Sequence, residues 1–238
     1  MLLNSTNTAH NLLNSILEFI YPVYCGGCNS KGDILCKECV DSFRIVDEEL
    51  TCPVCGKWIG KRVLCGECIQ KKRGFSEGCY GFYFEDKLRD AIHSLKFQGR
   101  KDVGKYLVHL ITKKIISFSE FFDCIVPIPV TEKRLKERGF NQSFIIGKEL
   151  SGITGKPLYH STLYKIKNTV DQYSLHKDDR KKNIKGAFAV KKRQNIKAKR
   201  VLIVDDLFTT GFTAKEASIV LLRAGAGDTL FFALARTP

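Results

Sequence analysis

The hydrophobic pattern changes character along the chain. From Leu12 to Tyr24 apolar residues predominate, interrupted by Asn14, Ser15 and Glu18, and residues 1–22 are expected to form an amphipathic helix. Residues 23–78 are organised by cysteine, glycine and proline instead. From Tyr80 onward periodicity takes over. Gly81 to Phe84 is aromatic and strand-like, while Leu88, Ala91, Ile92 and Leu95, then Val103, Leu107, Leu110 and Ile111, recur at helical spacing. Asp123 to Pro129 predicts a buried strand ending in a proline-bounded turn. A helix follows from Asn141 to Leu150, with Ile145 and Leu150 on its buried side. Arg200 to Asp205 is a run of branched apolar residues suited to a central parallel strand, apolar on both faces. Ala214 to Ala224 predicts a helix stopped at Gly225, and Thr229 to Ala235 a last strand. Alternating strands and helices predict an α/β domain over residues 79–238, a parallel sheet with helices on both faces, preceded by a small module over 23–78.

That module is defined by cysteines. Eight of the ten form four C-x-x-C pairs, Cys25/Cys28, Cys36/Cys39, Cys52/Cys55 and Cys65/Cys68, with gaps of seven, twelve and nine residues between pairs. Two sulfurs on such a turn converge on one side of a knuckle, and two knuckles close an S4 cage around zinc. Gly26, Gly27 and Pro53 within knuckles, and Gly56 and Gly66 beside ligands, are the residues such turns need. Four pairs imply a double zinc ribbon with two zinc ions. Disulfides would need an oxidising compartment, and a thioredoxin-like motif would be one pair in a βαβ context. Short loops favour sequential cages over a cross-brace. Cys79 and Cys124 sit alone among apolar residues and read as core.

Composition narrows the classes further. An apolar content of 44% is ordinary for a globular chain, and no stretch approaches the ~20 apolar residues of a membrane span. With no basic leader or small-residue cleavage site at the N-terminus, an intracellular protein is expected. The net charge is +14, and residues 160–200, with 13 Lys or Arg against 3 Asp, hold +10 of it. Charge this concentrated fits a polyanion as well as it fits a solvated face.

One apparent nucleotide motif fails. Gly99-Arg-Lys-Asp-Val-Gly104-Lys105 matches G-x-x-x-x-G-K, but Tyr106 stands where a magnesium-binding hydroxyl belongs, and a helix pattern precedes it rather than a strand. The run Val201-Leu-Ile-Val-Asp205-Asp206-Leu-Phe-Thr209-Thr210-Gly211-Phe-Thr213 carries more. It is a buried strand, two carboxylates, then a Thr/Gly loop opening a helix. Backbone N–H groups and hydroxyls at a helix N-terminus suit a phosphate dianion, and carboxylates suit ribose hydroxyls or magnesium. Together they describe a ribose 5-phosphate site at the carboxyl end of a sheet.

This run resembles the phosphoribosyl pyrophosphate (PRPP) motif of type I phosphoribosyltransferases. Val126-Pro-Ile-Pro129, Lys133-Arg-Leu-Lys-Glu-Arg138-Gly-Phe-Asn141-Gln142, Leu95 to Arg100, Asn168 to Gln172 with Arg180 and Asn183, and Gly186-Ala-Phe188 are similar to the ComF branch of that fold, whose members carry a double zinc ribbon. The resemblance implies that Asp205 and Asp206 hold the ribose hydroxyls, that Thr209, Thr210, Gly211 and Thr213 cradle the 5′-phosphate, and that Lys133 and Arg134 lie near the pyrophosphate. Magnesium would bridge pyrophosphate and ribose, and Asn168 to Lys182 would take the place of a lid. Phe208 and Phe212 add bulk inside the phosphate loop, a departure from housekeeping members.

Two functions follow from the resemblance. One is a role in natural transformation, with PRPP and single-stranded DNA as ligands and a competence helicase of the DNA-uptake machinery as partner, in the cytoplasm or at the inner face of the membrane. The other is an active phosphoribosyltransferase on an unidentified base or amine. Arg138, Lys165, Lys167, Arg180, Lys181 and Lys182 are the DNA-binding candidates, with Tyr164, Tyr173 and Phe188 interleaved for base stacking. Transfer from PRPP needs no enzyme nucleophile, so the absence of a Ser/His or Cys/His pair is neutral. No acceptor pocket is legible.

Overall fold

A computed structural model describes residues 22–167 and 184–238. The amphipathic segment Leu12 to Tyr21, and Asn168 to Lys182 with Tyr173, lie outside the described residues.

Two short helices, α1 (Lys37–Ser42) and α2 (Gly66–Gln70), belong to the cysteine module, and each starts on the third cysteine of a set, Cys36 or Cys65. The knuckles before them share one geometry. The N–H of the residue after the second cysteine bonds back to the first, Asn29 to Cys25 and Gly56 to Cys52, both at 2.8 Å. That residue must take a left-handed conformation, φ 61° and 67° respectively, which Asn and Gly tolerate best.

The larger unit follows as β1 (Gly78–Tyr83), α3 (Asp86–Phe97), α4 (Lys101–Leu110), α5 (Thr112–Phe118), β2 (Cys124–Pro127), α6 (Glu132–Arg138), α7 (Gln142–Thr154), β3 (Leu163–Lys165), β4 (Phe188–Val190), β5 (Arg200–Phe208), α8 (Phe212–Arg223) and β6 (Asp228–Arg236). Four strands form a parallel sheet in the order β1-β6-β5-β2, and β3 and β4 make a separate antiparallel hairpin. Helices cover both faces. Leu202 and Val204 of β5 meet α3, α4, α5 and α7, while Val201 and Ile203 meet α8 and the hairpin. Cys79 and Cys124 are fully buried in these cores.

Both sheet edges are closed by other parts of the chain. The Val46 N–H bonds the Gly81 carbonyl and the Tyr83 N–H bonds Arg44, which lays the cysteine module along β1. Pro157 and Tyr159 cover β2 in the same way through Ile125. Covered in this way, neither edge strand of the four-stranded sheet is free to template aggregation. Gly104 lies inside α4, so the G-x-x-x-x-G-K match is a helix and not a phosphate loop. In α7 Leu150 is buried as expected, and Ile146 is buried in place of Ile145.

Candidate functional site

The eight paired cysteines gather into two sets in sequential order, Cys25, Cys28, Cys36, Cys39 and Cys52, Cys55, Cys65, Cys68, with the sulfurs of each set within 4.8 Å of one another. Cys28 and Cys36, like Cys55 and Cys65, have sulfurs 3.6 Å apart. A Zn–S bond of about 2.3 Å places tetrahedral sulfurs about 3.8 Å apart, so the spacing fits zinc. Backbone N–H groups aim at the sulfurs: Cys36 and Gly27 at Cys25, and Cys65 at Cys52. The thiols shift in opposite directions. Cys52 is pulled down to about 4, chiefly by its hydrogen bond with Cys55, while Cys55 is pushed up by that same bond and by burial. Neighbouring sulfurs thus cannot all ionise unless a cation sits between them. Both sets suit zinc, and the sequential arrangement agrees with the short-loop argument.

The second site is at the carboxyl end of the sheet. β5 runs on through both carboxylates to Phe208, so Asp205 and Asp206 alternate to opposite faces. Asp205 shares a small pocket with Thr209, Thr210, Gly211, Phe212 and Thr213. Its Oδ1 accepts from the Ser143 hydroxyl and from the Asp206 N–H, both at 2.9 Å. Burial, and then the charge of Asp206, push its carboxyl up to about 7 against the pull of Lys96. Asp206 faces the other way and is buried in an ion pair, Lys96 Nζ to Oδ2 at 2.8 Å. The two carboxylates therefore do not present themselves side by side to one diol, as the paired assignment requires.

Gly211 opens α8 in the left-handed conformation, φ 76°. A Cβ there would lie 2.8 Å from the Phe208 ring, so both backbone and space demand glycine. Phe208 turns beneath the loop against Tyr80 and Phe231, and both Phe208 and Phe212 line the pocket. The α8 N-terminus thus offers N–H groups beside three threonine hydroxyls, an anion-binding arrangement.

The remaining candidates divide. Lys133 and Arg134 stand in the first turn of α6, after the turn that leaves β2. Thr131 caps that helix from the Arg134 N–H, and Lys133 is exposed beside Glu137. The side chain of Asn141 caps α7 and also donates to the Ile128 carbonyl, tying that turn to the Ser143 that holds Asp205. Arg138 hydrogen-bonds Gln142 and lies over Phe97. Lys165 lies over Phe188, and Lys167 donates to the Lys185 carbonyl. Phe188 is 4% exposed and packs in the core, so it cannot stack on a base. Tyr164 carries Lys191 over its ring. Arg180, Lys181 and Lys182 lie outside the described residues.

Lys96 and Ser143 join this site without having been among the candidates read from the sequence. Lys96 had a signal: it lies four residues after Ile92, on the buried side of α3, where a cation needs a partner. Ser143 had none.

Comparison with known proteins fits these features. Residues 16–69 match the double zinc ribbon domain family. The DNA utilization protein YhgH of Salmonella typhi is 30% identical over 85% of this chain and 90% of its own length. Competence protein F of Haemophilus influenzae is 27% identical over 84% of this chain and 96% of its own. The chain belongs to the ComF family. Among solved structures, a purine phosphoribosyltransferase from Pyrococcus horikoshii Ot3 aligns with 56% of this chain and 81% of its own at 16% identity and TM-score 0.35, too loose a likeness to bear on chemistry. No helix among the described residues is long and apolar enough to cross a membrane.

Proposed function

We propose that this ComF-family chain binds PRPP with magnesium at the carboxyl end of its sheet and single-stranded DNA on its basic segment, and that it serves DNA uptake or utilization. The phosphate loop carries the reading: a glycine that tolerates no side chain, flanked by three threonines, opens α8 beside Asp205. In this reading Thr209, Thr210, Gly211 and Thr213 hold the 5′-phosphate. The ribose hydroxyl contact falls to Asp205, because Asp206 is committed to Lys96. Lys133 and Arg134 attract the pyrophosphate. A magnesium ion suits this donor set, since a cation beside Asp205 would offset the cost of its buried charge. When bound, the ion neutralises pyrophosphate charge. The chain's own residues orient the sugar and hold its phosphate.

The DNA reading rests on where the basic segment is anchored. Its ends converge on the β3–β4 hairpin, where Lys167 bonds the Lys185 carbonyl and the Gly186 N–H bonds Glu216, one turn into α8. Strand phosphates and PRPP would therefore meet neighbouring surfaces. Lys165 and Lys167 belong to this reading together with Arg180, Lys181 and Lys182, with stacking from Tyr164 rather than Phe188.

Calorimetry tests the first part. Wild type should give saturable heat with PRPP and magnesium, and Asp205→Ala should not. A wild-type protein without saturable heat would sink the PRPP site. For DNA, log affinity should fall linearly with log salt as counterions are released, and a salt-independent affinity excludes the electrostatic groove. Release of pyrophosphate with a base or amine would move the protein to the transferase class.

A further inference from the structure

Arg73 leaves the second cysteine set just beyond α2 and crosses to the phosphate loop, 137 residues away in sequence. Its Nη1 donates to the Thr210 carbonyl at 2.6 Å and its Nη2 to Glu67 Oε2 at 3.0 Å, and its charge pulls the Cys68 thiol down against the effect of burial. The side chain is only 13% exposed. A Cβ on Gly211 would lie 3.1 Å from Nη1, so the guanidinium is pressed against the glycine of the loop. The next two residues clamp the loop on either side. The Gly74 carbonyl accepts from Ser218 in α8, and Phe75 packs edge-on against Phe208.

Two acceptors in two directions suit the planar fork of arginine and fix its orientation. One of them, Glu67, lies on α2 next to Cys68, a member of the cage. The other, the Thr210 carbonyl, matters to an anion. A carbonyl turned toward the pocket would repel phosphate, and Arg73 holds the Thr210 carbonyl on the protein side.

We propose that Arg73 is a positioning residue through which the second metal cage fixes the phosphate loop, so that metal at Cys52, Cys55, Cys65 and Cys68 and phosphate at Thr209 to Thr213 bind cooperatively. The proposal rests on the phosphate reading of that loop. Binding linkage is reciprocal: if the closed cage favours phosphate, phosphate must favour the closed cage. The first cage, set against α3 and α4, has no such route to the loop among the described contacts.

The test uses the full chain loaded with zinc, comparing wild type, Arg73→Ala, Arg73→Lys and, as a charge control, Lys71→Ala. Amide hydrogen exchange is read at residues 209–213, zinc release is followed with a chromogenic chelator, and ribose 5-phosphate is the ligand. Both Arg73 variants should keep two zinc ions and exchange the loop amides about tenfold faster, as losing a charge-assisted hydrogen bond predicts, with Lys71→Ala unchanged. Ribose 5-phosphate should slow release of one zinc ion in wild type and of neither in Arg73→Ala. Native loop exchange in Arg73→Ala, or unaltered ribose 5-phosphate affinity, overturns the proposal. If Arg73→Ala does not fold, Arg73→Lys decides, because it keeps the charge and loses the fork. If wild type binds no ribose 5-phosphate, the phosphate reading and the cooperativity fall together, and loop exchange still decides whether Arg73 braces the loop.

Discussion

Asp205 is a carboxylate that the fold holds at a cost, and Asp205→Asn should therefore stabilise the protein. Its carboxyl sits at about 7 instead of its usual 3.8 because burial and the neighbouring Asp206 disfavour its charge. The sign follows from proton binding. Between pH 4 and 7 the unfolded chain loses this proton while the folded chain keeps it, so this group makes wild type less stable as pH rises across that window, with no further change above it. Each pH unit of difference corresponds to about 1.4 kcal/mol, which sets a ceiling of about 4 kcal/mol. Asp205 is only partly enclosed, so water screens some of its charge and a gain of about 2 kcal/mol is the realistic expectation. The amide oxygen of asparagine can still accept from Ser143 and from the Asp206 N–H, so the local geometry survives. Urea unfolding of both proteins from pH 4 to 8 reads the difference, and effects of acid on the cysteine cages, common to both proteins, cancel in it. The advantage of Asp205→Asn should be near zero at pH 4, grow to about 2 kcal/mol by pH 7 and stay there, while PRPP binding is lost. A stability difference that does not change with pH would refute the assignment of a raised carboxyl at this site. A gain in stability coupled to a loss of binding is the pattern of a group kept for function.

The Lys96–Asp206 pair predicts the opposite response. Lys96→Met leaves a buried charge without its partner and should cost about 3–5 kcal/mol, lowering Tm by at least about 6 °C, with most of the loss recovered in Lys96→Met/Asp206→Leu; a silent single variant would mean that the pair does not form. Gly211→Ala forces a side chain into a left-handed position against Phe208 and should cost about 1–3 kcal/mol in urea unfolding together with ribose 5-phosphate affinity, and an unaffected variant would show that the loop has another conformation. Metal assay should return two zinc ions per chain, and chelation should unfold the cysteine module with loss of its helical signal, whereas full retention of structure after both ions leave would show that the cages contribute no folding energy.

What the sequence made legible had either a strong period or a fixed spacing. β5 is apolar on both faces, α3 and α4 have clean helical stripes, and the C-x-x-C pairs predict their own sequential closure. Short elements escaped: α5 and α6 have seven residues each, too few for periodicity to stand out. Two misplacements share one cause, because a run of like residues hides which way each side chain points. Phe188 lies in a basic stretch, yet as a β4 residue it turns into the core. Asp205 and Asp206 look like a pair in sequence, and strand alternation sends them to different partners. Arg73 is the last of three consecutive cations, Lys71 to Arg73, and nothing local in the sequence points to a partner 137 residues away.

The two cages also change how the chain divides physically. The first packs with Leu88, Val103 and the helices on one face of the sheet, and the second packs with Tyr80, Phe208 and α8 on the other. The first knuckle of each set uses glycine for the approach. A Cβ on Gly26 would come within 2.7 Å of Val103, and Gly56 sits against the Tyr80 ring. The Tyr80 hydroxyl in turn bonds the Val54 carbonyl at 2.7 Å, so a core tyrosine has its polar end satisfied by the ribbon. Residues 44–46 add backbone hydrogen bonds along β1. The ribbon therefore gains from the sheet a core that a segment of its length cannot build alone, and the sheet gains cover for β1 and for the aromatic floor beneath the phosphate loop. The second cage thus packs in the same core as Phe208, under the loop where the proposed ligand would sit, and this is the path the proposed coupling would use.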